Sequence, residues 1–176
     1  MIRVLGVGNV LMSDDGFGPY VVRVLDAFYE FPDDVEVIDV GTPGLDLTPY
    51  LLNADAVIFV DTVTADGAPG DTRIYDRREI LKYPPQVRTG PHDPALKEAL
   101  LTVDAVGAGP PLVTLIGVIP EWIATGVTLS PRVSGSVTTV ARMVIDELDR
   151  LGVRAVPRPV PQRPHIWWET PAVFVN

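Results

Sequence analysis

The opening stretch of the chain, IRVLGVGNVLMSDDGFG at residues 2–18, contains a strand, a glycine-containing loop and the start of a helix. Residues 2–7 are almost continuously apolar, which is typical of a strand covered on both faces of a sheet. Residues 16–30 then place apolar side chains at helical spacing. A buried strand followed by an amphipathic helix is the unit from which α/β sheets are built.

The same alternation of strand and helix continues along the chain. Further strands are predicted at residues 35–40, 56–63 and 112–119, with a shorter and more polar edge strand at 72–76. Further helices are predicted at residues 44–53, 94–105 and 131–151. The last two begin at Asp93-Pro94 and Ser130-Pro131, where a capping residue precedes a first-turn proline. We therefore expect a three-layer α/β fold, phosphorylase/hydrolase-like, with helices on both faces of a mostly parallel, twisted five-stranded sheet.

The C-terminal stretch differs in composition from the rest of the chain. We expect a single α/β domain at residues 1–152 and a proline-rich arm at 153–176 that crosses the domain or a partner. The arm contains Trp167 and Trp168, which we interpret as anchors against the body rather than as a ligand site. His165, in the same arm, is interpreted as a surface residue.

Composition and charge exclude several classes of function. The formal net charge is −9, and an acidic surface repels nucleic acid and anionic membranes. A basic or metal-bearing partner is compatible with this charge. The alternative is that the negative charge only keeps the protein soluble. The absence of cysteine excludes disulfides, thiolate metal sites and cysteine nucleophiles. The start of the chain has no signal-peptide features and no stretch is apolar enough to span a membrane, so we expect a cytoplasmic monomer.

The loop after the first strand does not match a dinucleotide-binding loop. Gly6-Val7-Gly8 begins such a pattern, but Leu11 stands where the third glycine is needed. Asp14 and Asp15 would repel a pyrophosphate at the start of the following helix. Nucleotide binding is therefore disfavoured, and a small nucleotide-binding α/β enzyme is the weakest of the functions considered.

Roles as a helix cap and as a ligand explain the two adjacent acids better than nucleotide binding does. Asp14 is expected to cap the following helix, whose positive end favours a carboxylate. Asp15 is then free to point into the crevice beyond the strand ends, where ligands of open α/β sheets bind. Asp61 lies inside the apolar strand pattern at 56–63, near its C-terminal end, where burial of a carboxylate is costly unless it is paired. A ligand role explains Asp61, and a cap or turn at Thr62 is the alternative.

His92 lies in a predicted loop ahead of a helix and would join these acids at one edge of the sheet. Without cysteine, imidazole is the natural partner of carboxylates for a borderline transition metal. One imidazole and two carboxylates would form a three-ligand site with open positions. A surface role is the alternative for a lone histidine. The chain contains no HExxH, GxSxG or P-loop pattern, and a triad of Ser13 with His92 is disfavoured because two acids follow the serine.

At these residues the chain resembles the [NiFe]-hydrogenase maturation proteases, which process the C-terminus of the hydrogenase large subunit. The family's opening pattern, G-x-G-N-x-L-x-x-D-[DE]-G-[FIV]-G, is matched by residues 6–18. Later matches lie at the segments around Gly41-Thr42-Pro43-Gly44, Asp61 and Pro91-His92-Asp93, and at residues 116–120 and 129–133. The resemblance covers roughly residues 2–151 and does not include the arm.

The resemblance implies a site and a substrate. It assigns nickel binding and catalysis to Asp15, Asp61 and His92, with aspartate at a position where better-known members often have glutamate. It places Gly41, Thr42, Pro43 and Gly44 along the substrate cleft. The implied activity is removal of a C-terminal extension from a nickel-loaded large-subunit precursor, whose nickel the protease recognises. A nickel-sensing assembly chaperone of the same fold, without hydrolysis, is the alternative.

Overall fold

The computed structural model describes residues 1–42, 47–82, 86–87 and 95–169. The strands are β1 (Ile2–Val7), β2 (Tyr29–Glu30), β3 (Val35–Gly41), β4 (Ala56–Thr64), β5 (Thr72–Asp76), β6 (Gln86–Val87), β7 (Leu112–Val118) and β8 (Val156–Pro157). The helices are α1 (Phe17–Phe28), α2 (Thr48–Leu51), α3 (Arg77–Lys82), α4 (Ala95–Ala105) and α5 (Pro131–Arg150). Two short 3-10 helices span Ser13–Gly16 and Trp167–Glu169.

Five strands form the main sheet, in the order β3-β1-β4-β7-β5. The first four run parallel, and β5 pairs with β7 in the antiparallel direction at the edge. The two-residue strand β6 pairs antiparallel with the end of β4. The predicted mostly parallel α/β sheet, including the edge position of residues 72–76, is therefore confirmed.

Helices cover both faces of this sheet, and the sheet divides the hydrophobic core into two clusters. In β4, Ile58 and Val60 face the cluster formed with α1 and α5. Val57 and Phe59 face the opposite cluster, formed with α2, α3 and α4. Because side chains alternate across a strand, a strand that is apolar at successive positions is buried on both faces, as predicted for the central strands.

The helix boundaries depart from the predicted ones at two places. The first helix begins at Phe17 and ends at Phe28, because Gly16 closes a 3-10 turn and Tyr29 is already extended. The helix predicted at 44–53 is shorter, and in its described part it spans Thr48–Leu51. Asn53 adopts a φ of 56°, which is incompatible with a continuing right-handed helix. The short elements α3, β2, β6 and β8 were not predicted, since each is too short for a periodic pattern.

The described part of the arm packs along α1. Two backbone N–H groups of the arm, those of Arg158 and Gln162, donate to the carbonyls of Phe28 and Ala27 at 2.8 and 2.9 Å. Trp168 is only 6% exposed, and its ring meets Tyr20 edge-on at 5.1 Å. The anchoring role was predicted for both tryptophans; it is confirmed for Trp168 but is not supported for Trp167, which is 52% exposed. The division of the chain at residue 152 stays a prediction.

Replacing Trp168 with alanine is expected to destabilise the protein by about 2 kcal/mol, because it removes a large buried apolar side chain. Urea unfolding followed by circular dichroism measures this change. Trp167→Ala is the matched control, and we expect a change within about 0.5 kcal/mol for this half-exposed neighbour. A Trp168→Ala variant that is as stable as the wild type would show that Trp168 does not anchor the arm.

Among the helices that the structure describes, none has the length and apolar character needed to cross a membrane.

Candidate active site

The strand order predicts a crevice at the carboxyl ends of β1, β3 and β4. After β1 the chain forms β3, which pairs with one side of β1. The next strand of the sheet, β4, pairs with the other side of β1, so the direction in which strands are added reverses at β1. This reversal is a topological switch point, where open α/β sheets bind their ligands. The N–H of Gly8, just after β1, donates to the carbonyl of Gly41 at the end of β3 at 2.8 Å. The loops after β1 and β3 are thereby joined at this edge.

The structure brings two of the predicted site residues, Asp15 and Asp61, close together at this edge of the sheet. Asp15 is 4% exposed and Asp61 is 1% exposed. One Asp15 oxygen accepts the N–H of Asn9 at 3.0 Å, and the other lies 3.5 Å from the hydroxyl of Thr62. Thr62 also donates its own N–H to the Asp61 carboxylate at 2.6 Å. Thr62 therefore connects the two acids, which are far apart in the sequence.

Glycines allow the turn that carries Asp15 to press against the strand ends. Gly8 has a φ of +136°, and a side chain there would meet the carbonyl oxygen of Asp15 at 1.8 Å. Gly18, in the first turn of α1, faces the carbonyl oxygens of Val7 and Val60, which a Cβ would approach to 2.3 and 2.4 Å. The lack of side chains at these glycines thus decides how closely Asp15 approaches β1 and β4.

Gly18→Ala is expected to destabilise the protein by about 1–3 kcal/mol, because the added methyl group forces α1 away from β1 and β4. Gly135→Ala in α5 is the matched control, since no atom lies within 4 Å of its added Cβ. The control is expected to stabilise the protein by up to about 1 kcal/mol through helix propensity. Thermal unfolding measures both variants. A Gly18→Ala variant as stable as the control would contradict the close packing.

Asp14 does not cap α1, contrary to the expectation from sequence. The N-cap position of α1 is Gly16, and no side chain caps that helix. The fully buried carboxylate of Asp14 instead accepts the N–H groups of Glu121, Trp122 and Ser130 at 2.9, 3.1 and 2.6 Å. The Ser130 hydroxyl donates to the same carboxylate at 2.9 Å and so does not cap α5. Through these hydrogen bonds, Asp14 connects the loop at residues 119–130, after β7, to the 3-10 turn Ser13–Gly16, which also contains Asp15.

Other predicted site residues lie outside the part of the chain that the structure describes. These are His92, Pro43 and Gly44. Of the predicted cleft segment, Gly41 and Thr42 are described, and Gly41 adopts a φ of 59° at the end of β3. Its N–H donates to the carboxylate of Asp39 at 3.1 Å. Glycine is therefore favoured at this position by its backbone conformation, and the cleft role of residues 41–44 stays a prediction.

The described residues do not by themselves form a metal site. Within residues 1–42, 47–82, 86–87 and 95–169, no three His, Asp or Glu side chains are grouped as metal ligands. Because this set does not include His92, the predicted trio with Asp15 and Asp61 stays a prediction. Two buried carboxylates at neighbouring strand ends provide hard oxygen donors, which suit a divalent cation better than an anionic ligand.

Two features of the crevice were missed in the sequence. Thr62 was considered only as a local turn residue, yet its side chain contacts Asp15. The loop at residues 119–130 was not assigned to the site, although it carries the four donors to Asp14. Asp14 itself could have indicated such a contact, because a buried carboxylate that does not cap a helix needs hydrogen-bond donors from elsewhere in the chain. Its partner Ser130, separated by 116 positions, could not be inferred from a local pattern.

Comparisons with known proteins agree with this fold over most of the chain. A family profile described as hydrogenase maturation protease matches residues 19–147. The Hydrogenase 2 maturation protease of Escherichia coli (strain K12) is 35% identical over 161 residues, which is 89% of this chain and 96% of the relative. The hydrogenase expression/formation protein HoxM of Azotobacter vinelandii is 34% identical over 158 residues, covering 89% of this chain and 76% of the relative.

A solved structure extends the similarity from sequence to fold. The hydrogenase maturating endopeptidase HybD from E. coli superposes with a TM-score of 0.81 at 34% identity, covering 89% of this chain and 97% of that structure. The fold and these similarities define the protein as a peptidase of three-layer α/β architecture. The chain belongs to the hydrogenase maturation protease family, as its opening motif implied.

Proposed function

We propose that the protein is the endopeptidase that removes a C-terminal extension from the nickel-loaded large-subunit precursor of a [NiFe]-hydrogenase. The observation that carries this proposal is the pair of buried carboxylates, Asp15 and Asp61, connected by Thr62 at the carboxyl edge of the sheet. Nickel belongs to the substrate, and Asp15, Asp61 and His92 bind it during recognition. The cleft residues at 41–44 line the path of the precursor's chain.

The chemistry of the donors supports recognition of a metal that the substrate brings. Carboxylate and imidazole ligands suit nickel, and a chain without cysteine cannot form a thiolate cage that would hold the ion permanently. Three protein ligands also leave coordination positions for the ligands of the precursor. An aspartate in place of glutamate at position 15 keeps the type of donor, and the glycine contacts at Gly8 and Gly18 bring its turn close to β1 and β4.

The pairing of β6 supports the assignment of His92 to this trio. Val87 pairs antiparallel with Val63, so the chain leaves β6 in the direction of Thr62 and Asp61. Only five positions separate Val87 from His92. A chain of this length spans at most about 17 Å, which is sufficient to reach Asp61, two positions from Val63 along β4.

The proposal is tested by incubating the purified protein with nickel-loaded and nickel-free precursor side by side and measuring the mass of the precursor. Loss of a short C-terminal peptide from the loaded form alone is expected. Equal cleavage of both forms would contradict recognition of nickel. Formation of a complex with unchanged mass would contradict cleavage and would favour the chaperone function.

A further inference from the structure

Two apolar tripeptides lie on the loops that border the acidic crevice. Val10-Leu11-Met12 precedes the turn that carries Asp15, and Trp122-Ile123-Ala124 lies in the loop after β7. None of the six residues is buried, and Leu11 and Trp122 are 56% and 48% exposed. We call these six residues the apolar rim. Three of them, Leu11, Trp122 and Ala124, are exposed, and the other three are half-buried. A group of apolar side chains left partly exposed beside a binding site is typical of a surface that contacts a partner.

The two halves of the apolar rim are held together by backbone hydrogen bonds. The N–H of Gly126 donates to the carbonyl of Leu11 at 3.0 Å, and the N–H of Ser13 donates to the carbonyl of Gly126 at 2.8 Å. The N–H of Trp122 is bonded to the buried carboxylate of Asp14 at 3.1 Å. Because the backbone is already ordered, a partner that binds here would not have to order the loops first.

We propose that the apolar rim docks an apolar segment of the large-subunit precursor that lies close to its nickel, an inference that rests on the proposed function. The rim is continuous with the crevice: its first half shares a loop with Asp15, and its second half follows β7, whose Gly117 pairs with Asp61. A precursor whose metal reaches both acids therefore meets the rim. Tryptophan is strongly enriched among residues that dominate binding energy at interfaces, and Trp122 is the principal anchor.

The test compares two double variants. Leu11→Ser with Trp122→Ser removes the two large exposed side chains of the rim. Val106→Ser with Leu112→Ser is the matched control, because these residues are 71% and 47% exposed. They lie just after α4 and at the first position of β7, toward the opposite edge of the sheet. Thermal unfolding checks that each variant folds. The dissociation constant for nickel-loaded precursor, and KM and kcat for processing, are then measured separately.

We expect the rim variant to raise the dissociation constant and KM at least about tenfold, a ratio that corresponds to about 1.4 kcal/mol, and to leave kcat within about twofold. The control variant is expected to match the wild type. A rim variant that binds as tightly as the control overturns the inference. So does a self-association of the wild type that the rim variant loses, since the rim would then bind a second copy. Tight, rim-dependent binding without any cleavage would overturn the proposed function while the docking surface stands.

Discussion

Replacing His92 with alanine is expected to lower the rate of precursor processing by at least about a hundredfold, the scale on which a group acting directly in a reaction contributes. The physical reason is the loss of the only nitrogen donor in the proposed trio, which leaves two carboxylates to contact the nickel of the precursor. Because the sequence places His92 in a loop ahead of α4, we expect the free energy of unfolding to change little. Mass spectrometry of the nickel-loaded precursor over time measures the rate.

The chain offers a matched control for this substitution. His165, the other histidine, is exposed in the arm, and His165→Ala is expected to process at the normal rate. A His92→Ala variant that keeps the normal rate would remove His92 from the ligand set and leave Asp15 and Asp61 without the proposed third donor. A fall in rate accompanied by an equal loss of folded protein would instead assign His92 a structural role.

The second large effect is expected at Asp14, where alanine should destabilise the fold by about 3–5 kcal/mol. The carboxylate accepts three backbone N–H groups and one hydroxyl, from Glu121, Trp122 and Ser130. Each buried donor left without an acceptor costs about 1–3 kcal/mol, and water can reach only some of these positions after the substitution. Asp14→Asn is expected to destabilise as well, because its amide group turns a donor toward other donors.

Urea unfolding of Asp14→Ala measures this loss, and Asp33→Asn is the control. Asp33 has an exposed side chain, so its substitution is expected to change the free energy of unfolding by no more than about 0.5 kcal/mol. The midpoint of thermal unfolding of Asp14→Ala should fall by about 10 °C for a chain of this size. A stability equal to that of the control would show that the loop at 119–130 does not depend on Asp14.

The Asp14 result also bears on the neighbouring site. The loop that Asp14 holds carries Trp122, while the same turn carries Asp15. Loosening this connection is therefore expected to affect both the proposed docking surface and the carboxylate at the crevice. For this reason the rim is tested through Leu11 and Trp122, whose exposed side chains can be changed without removing the buried acid.

The sequence alone determined the layered α/β fold, because continuous apolar strands and helices of 3.6-residue period report directly on burial at each position. It also located Asp15, in the turn after β1, and Asp61, near the carboxyl end of β4, since a carboxylate stands out against apolar neighbours. Only the tertiary structure decided that Asp14 binds the loop at 119–130 instead of capping α1, and that Thr62 connects Asp15 with Asp61. Asp14 and Asp15 are far apart in the chain from the residues they contact here, and the packing of the whole sheet is what brings these donors and acceptors to within 2.6–3.5 Å of each other.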